Sequence, residues 1–249
     1  MLLTHPSLKK TADQIAGYAS LNYRLSPHAD FPQDRRRTAD YEMRDAKHPD
    51  HINDVLSALR DLQRRHGFGG RYLLLGHGVG ATMALQVAMG RVWGREGPVP
   101  VGESKKDEEE AIKPPIAIIG IDGIYDIPLL RNRNIGRHRY QTMIEGALGG
   151  DEAMWKTASP AGWTRYKTSW REGRLLMLVH SREDELVDWS QVEAMEGCWS
   201  AGQEGDGEQD VEMAIREIRG RHAEIWQKGH GMAGCIAEAI MALRLGEDC

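Results

Sequence analysis

One stretch limits the fold more than any other: Arg71-Tyr-Leu-Leu-Leu-Gly-His-Gly-Val-Gly-Ala-Thr-Met-Ala-Leu-Gln86. The apolar run Tyr72 to Leu75 has the length of a strand. It breaks over Gly76, His77, Gly78, Val79 and Gly80, and a helical pattern starts at Ala81. A strand turning sharply into a helix is the setting of the nucleophile elbow, G-x-S-x-G, which lifts a serine hydroxyl above a sheet. Its glycines let strand and helix approach closely and accept backbone angles that larger residues resist. Here the central position is Gly78, so the turn carries no side-chain oxygen.

The flanking sequence alternates strand and helix patterns. Ser7 to Ile15 reads as a short helix capped by Ser7, and Gly17 to Leu25 reads as a strand ended by Ser26-Pro27. His28 to Asp45 is polar and basic, the composition of a solvated loop. His51 to His66 places Ile52, Val55, Leu56, Leu59 and Leu62 on one helical face before Gly67. Past the elbow helix, Gly94 to Pro115 carries Lys105-Lys-Asp-Glu-Glu-Glu110 between glycines and prolines, so a disordered surface insertion is expected over 95–114. Ile116–Ile121 and Leu175–Val179 are continuous apolar runs, as in strands covered on both faces. A strand over Val211–Ile218 and a closing helix over Gly231–Leu245 complete the pattern.

This order implies one α/β domain over residues 1–249, with a mostly parallel sheet flanked by helices. Ligands of such sheets sit beyond the carboxyl ends of the strands. Gly78, Asp184 and His222 fall there in the order nucleophile position, acid, base. A net charge of −5 gives no reason to expect nucleic acid or an anionic membrane as partner. The Met1-Leu-Leu-Thr-His-Pro6 start has no signal-peptide pattern, and no apolar run is long enough for a membrane helix. Three widely spaced cysteines (Cys198, Cys235, Cys249) suit reduced thiols and a cytoplasmic setting.

The chain resembles fungal kynurenine formamidases, the arylformamidase branch of the α/β-hydrolases. The resemblance is carried by Leu21-Asn-Tyr-Arg-Leu-Ser-Pro27, His48-Pro-Asp-His-Ile-Asn-Asp-Val55, the elbow, Gly123-Ile-Tyr-Asp126, His180-Ser-Arg-Glu-Asp-Glu-Leu186 and Gly220-Arg-His-Ala-Glu-Ile-Trp226. It implies an α/β-hydrolase fold and hydrolysis of N-formylkynurenine to kynurenine and formate in tryptophan catabolism. By motif, Asp184 matches the triad acid, His222 the triad base and Gly78 the serine position. The resemblance also implies a preceding strand with a His-Gly-Gly-x-Trp segment that supplies oxyanion donors. The chain starts past it, so an N-terminally shortened fold is expected, in which strand 17–25 pairs directly with strand 72–75, unless the given sequence lacks an N-terminal piece.

Gly78 cannot form an acyl-enzyme, and Thr82, one helical turn on, is expected to point along the helix. Asp184 with His222 retains general acid–base capacity, or both persist as hydrogen-bonded relics. Val79 offers the remaining oxyanion amide; His77 and Trp226 are further candidate binding residues, with His77 expected mainly to bond within the turn. His180 is read as a satisfied core histidine, and Trp155, Trp163, Trp170 and Trp226 either line an aromatic pocket or pack the core. No histidine spacing matches a zinc motif, so no metal and no cofactor is expected. The expected partner is a small aromatic amide, with a homodimer left open. Three functions stay open: acid–base chemistry on a tryptophan-derived aryl amide, a formamidase inactivated by serine-to-glycine replacement or truncation, and a non-catalytic binding protein on a hydrolase scaffold.

Overall fold

Where one helix over Ser7–Ile15 is expected, the chain forms a short α1 (Pro6–Lys9) and a separate 3-10 turn at Ala12–Gln14. The computed structural model describes residues 5–9, 11–28, 30–94, 97–99, 112–202 and 211–245. Helix α2 (Asp50–His66) buries Ile52, Val55 and Leu59 on one face. Asp50 in its first turn and Arg64, Arg65 and His66 in its last complement the helix dipole, and Gly67 ends it at φ 65°. Then follow β1 (Leu73–His77), α3 (Val79–Ala88) and a small hairpin of β2 (Val92–Gly94) and β3 (Gly97–Val99). The rest of the expected 95–114 insertion lies largely outside the described residues.

The second half contributes β4 (Ala117–Ile121), helices α4 (Ile127–Arg133), α5 (His138–Leu148), α6 (Glu152–Ala158) and α7 (Tyr166–Ser169), and β5 (Leu175–Ser181). Helix α8 (Ser190–Gly202), β6 (Glu212–Ile218), α9 (His222–Lys228) and α10 (His230–Leu245) follow. Strands β1, β4, β5 and β6 pair in that order, all parallel, with Leu73 opposite Ala117 and Ile121 opposite Val179. Burial explains the order. Strands β4 and β5 are buried at every position and occupy the centre, while β1 and β6 are only partly covered and form the edges.

Successive residues of the central strands feed opposite cores, as the two-residue period requires. Ile118, Leu176 and Leu178 pack with α2 and α3, whereas Ala117, Ile119, Ile121, Met177 and Val179 pack with α10 and with Leu8 of α1. Helix α3 is buried from Ala81 to Ala88, which is why its sequence is apolar with little amphipathic contrast. A third cluster, Ile127, Leu130, Tyr140, Ile144, Trp155 and Ala158, holds α4, α5 and α6 together. Among the described residues no helix is long and apolar enough to cross a membrane.

The strand expected over Gly17–Leu25 does not form. Its residues run as irregular chain, and β1 pairs with β4 alone among the described residues, so direct pairing of the two segments does not occur. Val-, Ile- or Tyr-type side chains make a strand only where a neighbour takes up the backbone donors and acceptors. The segment is instead tied to α2 through side chains. Arg24 makes a forked contact to Asp54, with Nη2 2.8 Å from Oδ1 and Nε 2.9 Å from Oδ2, and Ser26 Oγ meets His51 Nε2 at 2.8 Å.

Candidate functional site

The carboxyl ends of all four parallel strands converge on one edge, and His77, Asp122, Asp184 and His222 lie at or just past them. At the elbow, Gly78 adopts φ 55°, ψ −121°, a conformation open in practice only to glycine or to a residue held under strain. Gly76 is required for a different reason. A β-carbon there would stand 2.2 Å from the Gly80 carbonyl oxygen, because β1 and α3 cross in near-contact. Residue 78 is therefore presented on a tight pedestal, its N–H bonded to the Ile121 carbonyl at 2.9 Å.

Facing it is His222, the first residue of α9. A β-carbon on Gly78 would lie 3.2 Å from His222 Nε2, and the other ring nitrogen, Nδ1, lies 2.7 Å from Asp184 Oδ2. The Asp184 side chain is inaccessible to solvent, and its Oδ1 accepts from the amides of Leu186 at 2.8 Å and Val187 at 3.0 Å. Burial pushes this carboxyl up, yet the His222 hydrogen bond and the two amides outweigh it and hold it below the usual carboxylate range. Burial likewise depresses the His222 imidazole, and the Asp184 hydrogen bond and charge overcome that, so its pKa is raised. An imidazole held in one tautomer by a buried carboxylate, with Nε2 turned to the open edge, is equipped to take and return protons.

The loop carrying His222 is stitched to the loop carrying Asp184. Ser181 Oγ donates to the Gly220 carbonyl at 2.6 Å, the Gly220 N–H donates to Glu183 at 3.1 Å, and the His222 N–H donates to Glu185 at 3.2 Å. Val79, half exposed as the first residue of α3, has an N–H without an intrahelical acceptor. Trp226 is also exposed, one helical turn after His222 on α9.

Other sequence candidates fall in place or away from it. His77 Nε2 donates to the His222 carbonyl at 3.1 Å, and burial pushes its imidazole down to about 4, so it is neutral. Thr82 Oγ1 donates to the Ile124 carbonyl at 2.6 Å, so its proton is committed to the backbone. The four tryptophans do not form one pocket. Trp170 is fully buried in the α2–α3 core, Trp155 in the α4–α6 cluster, Trp163 packs against the first of these, and Trp226 stands in solvent. Large rings satisfy whichever core lies nearest, and even spacing along the chain does not gather them. His180 is fully buried with Nε2 donating to the Val187 carbonyl at 2.8 Å, but its Nδ1 has no partner, so it is only half satisfied.

Sequence reasoning missed Asp122. It follows β4 at φ 44°, it is the one non-glycine residue with positive φ among those described, and it is fully buried. Burial, with the Asp184 charge adding to it, lifts its carboxyl to about 7 despite an opposing hydrogen bond from the Ser181 amide. The signal available was an acidic residue closing an otherwise apolar strand run. Ligand-capable atoms of His77, Asp122 and His222 all lie within 4.8 Å of one another, as do those of Asp122, His180 and Asp184.

No protein-family model matches the chain. It is 34% identical to the kynurenine formamidase-like hydrolase fscH of Fusarium equiseti over 233 residues, which is 92% of this chain and 72% of that protein. It is also 34% identical to the kynurenine formamidase avaC of Aspergillus versicolor over 238 residues, 88% of this chain and 72% of the relative. Among solved structures, an acetyl ester-xyloside bifunctional hydrolase from Caldicellulosiruptor lactoaceticus superposes with a TM-score of 0.53 at 15% identity, over 79% of this chain and 68% of that one. Esterase B from Lactobacillus rhamnosis superposes with a TM-score of 0.54 at 15% identity, over 82% of this chain and 64% of the esterase. The described strands and helices thus have the α/β-hydrolase fold.

Proposed function

The chain belongs to the kynurenine formamidase-like family of α/β-hydrolases, and from that premise we propose that it acts on a tryptophan-derived aryl amide by His222/Asp184 acid–base chemistry in place of an acyl-enzyme. The observation that carries this reading is the 2.7 Å contact between His222 Nδ1 and Asp184 Oδ2, with Nε2 facing Gly78. His222 Nε2 takes a proton from a water, or from the bound amide itself, and Asp184 stabilises the imidazolium that results. The same nitrogen then returns the proton to the leaving or rearranging nitrogen. The Val79 N–H is the amide available to developing negative charge on the carbonyl oxygen, and the exposed Trp226 ring offers a face for an aromatic substrate.

Proton transfer of this kind is worth roughly 10²–10⁴-fold, well short of a full triad with an intact oxyanion hole. Slow turnover, or an isomerisation or cyclisation that needs no acyl-enzyme, follows from that magnitude. The test is turnover of N-formylkynurenine and of formanilide analogues by the wild-type chain and by His222→Ala, with ligand binding measured in parallel. Loss of turnover with binding retained supports the reading. Equal background rates in both proteins, with binding intact, would leave only a ligand-binding role.

A further inference from the structure

Beside the dyad lies a group of side chains that proton transfer through Asp184 and His222 does not use. Asp122 Oδ1 accepts from the Ser181 N–H at 2.9 Å, but its Oδ2 is buried with no hydrogen-bond partner. That oxygen lies 3.8 Å from His77 Nε2. On the other side, His180 Nδ1 is buried and unpartnered 3.8 Å from Asp122 Oδ1. A carbonyl can only accept, so His180 Nε2 carries the proton it gives to Val187, and Nδ1 of the neutral ring presents a lone pair.

With Asp122 ionised, the cluster therefore holds acceptors in excess. A buried acceptor left without a partner is destabilising. Positive φ adds a smaller cost, since aspartate tolerates that region better than most side chains. Asp122 bears both burdens at once. A positive centre among these atoms relieves the unpaired oxygen directly and gives the strained backbone a purpose.

We infer that His77, Asp122 and His222 form a binding site for a divalent cation of the zinc class. Two imidazoles and one carboxylate are a donor set zinc accepts, with bonds of about 2.0–2.2 Å. In a tetrahedral site such bonds put ligand atoms roughly 3.3–3.5 Å apart. The 3.8 Å separation of His77 Nε2 and Asp122 Oδ2 closes to that with small side-chain shifts. His77 must exchange its 3.1 Å bond to the His222 carbonyl for the metal. The neutral tautomer with its proton on Nδ1 does this without changing charge, leaving the Nε2 lone pair for the cation. His222 cannot hold a cation and serve as a base at once, so the two uses alternate. Cation binding itself stands or falls independently of the proposed reaction.

The experiment is calorimetric titration of the chelator-stripped full chain with Zn²⁺, with Co²⁺ absorption as the spectroscopic counterpart. The expected result is a single tight equivalent and visible Co²⁺ bands of four- or five-coordination without a thiolate charge-transfer band. Asp122→Asn and His77→Gln should each weaken binding about tenfold or more. His66→Gln, at an exposed histidine on α2, should leave it unchanged. Circular dichroism establishes that each variant is folded, and Asp122→Ser replaces Asp122→Asn if the latter is not. No saturable heat, a thiolate band, or affinity indifferent to substitution at both Asp122 and His77 each overturns the assignment.

Discussion

His222 Nε2 stands 3.2 Å from the point where a β-carbon of residue 78 would begin. The His222 imidazole and residue 78 thus stand face to face, although residue 78 is glycine. That contact is tighter than ordinary van der Waals packing, so restoring a side chain there displaces the imidazole by a few tenths of an ångström.

Gly78→Ser should lower unfolding stability by about 1–3 kcal/mol, because φ 55°, ψ −121° is strained for any residue with a β-carbon. Gly78→Ala should lose a similar amount, which chemical denaturation measures for both. A fluorophosphonate probe separates them, since only the serine variant has a hydroxyl beside His222. Strong labelling of the wild-type chain would show that another nucleophile occupies the site.

Asp184→Asn should slow aryl-amide turnover by roughly 10²-fold or more, close to the effect of His222→Ala. The neutral amide has no charge to stabilise an imidazolium, and its NH2 group can donate to Nδ1 and select the wrong tautomer. The double variant should be little worse than either single one, because the two residues act as a unit. Additive losses in single-turnover assays would indicate separate roles.

Trp226→Ala should raise KM about 2–10-fold with little change in kcat, the loss of one stacking face on an exposed ring. A fall in kcat at constant KM would place the ring's effect on the reacting geometry instead.

Stability should fall as the pH drops from about 6.5 toward 4, and His48 should account for part of the slope. Burial, aided by the nearby His51 and opposed by Asp50, pushes the His48 imidazole down to about 4. Its folded pKa lies below the unfolded value, so the unfolded chain binds the proton first and stability is lost on acidification. One such group contributes at most about 1.4 kcal/mol per pH unit. His48→Phe keeps an aromatic ring against Trp93, 5.0 Å away between centroids, and should flatten the slope in urea titrations at pH 7, 6 and 5. An unchanged slope would assign the whole effect to other buried histidines.

Asp54→Asn should loosen residues 17–27 without unfolding the domain. The Arg24–Asp54 pair is half exposed on the arginine side, so its global contribution is about 1 kcal/mol or less. Faster hydrogen exchange confined to the 17–27 peptides is the expected signature; protection equal to wild type would mean that Leu21 and Tyr23, packed against the first core, hold the segment alone.

Local chemistry made much of this protein readable from its residues. The three-to-four-residue apolar period of 51–66, the unbroken apolar runs at 117–121 and 175–179, and the glycines at 76 and 78 each act through neighbours a few positions away. Chain order and motif likewise single out Asp184 and His222, which the fold brings to 2.7 Å. Tertiary structure alone decided what depends on a distant partner. Residues 17–25 have strand composition but form no ladder, since a strand exists only where another backbone meets it. For the same reason Trp155 and Trp170 separate into different cores while Trp226 stays in solvent. His77, Asp122 and His222 stand far apart along the chain and meet only because parallel strands end together. Whether a carboxylate oxygen is paired is a property of that meeting, and no pattern within one segment encodes it.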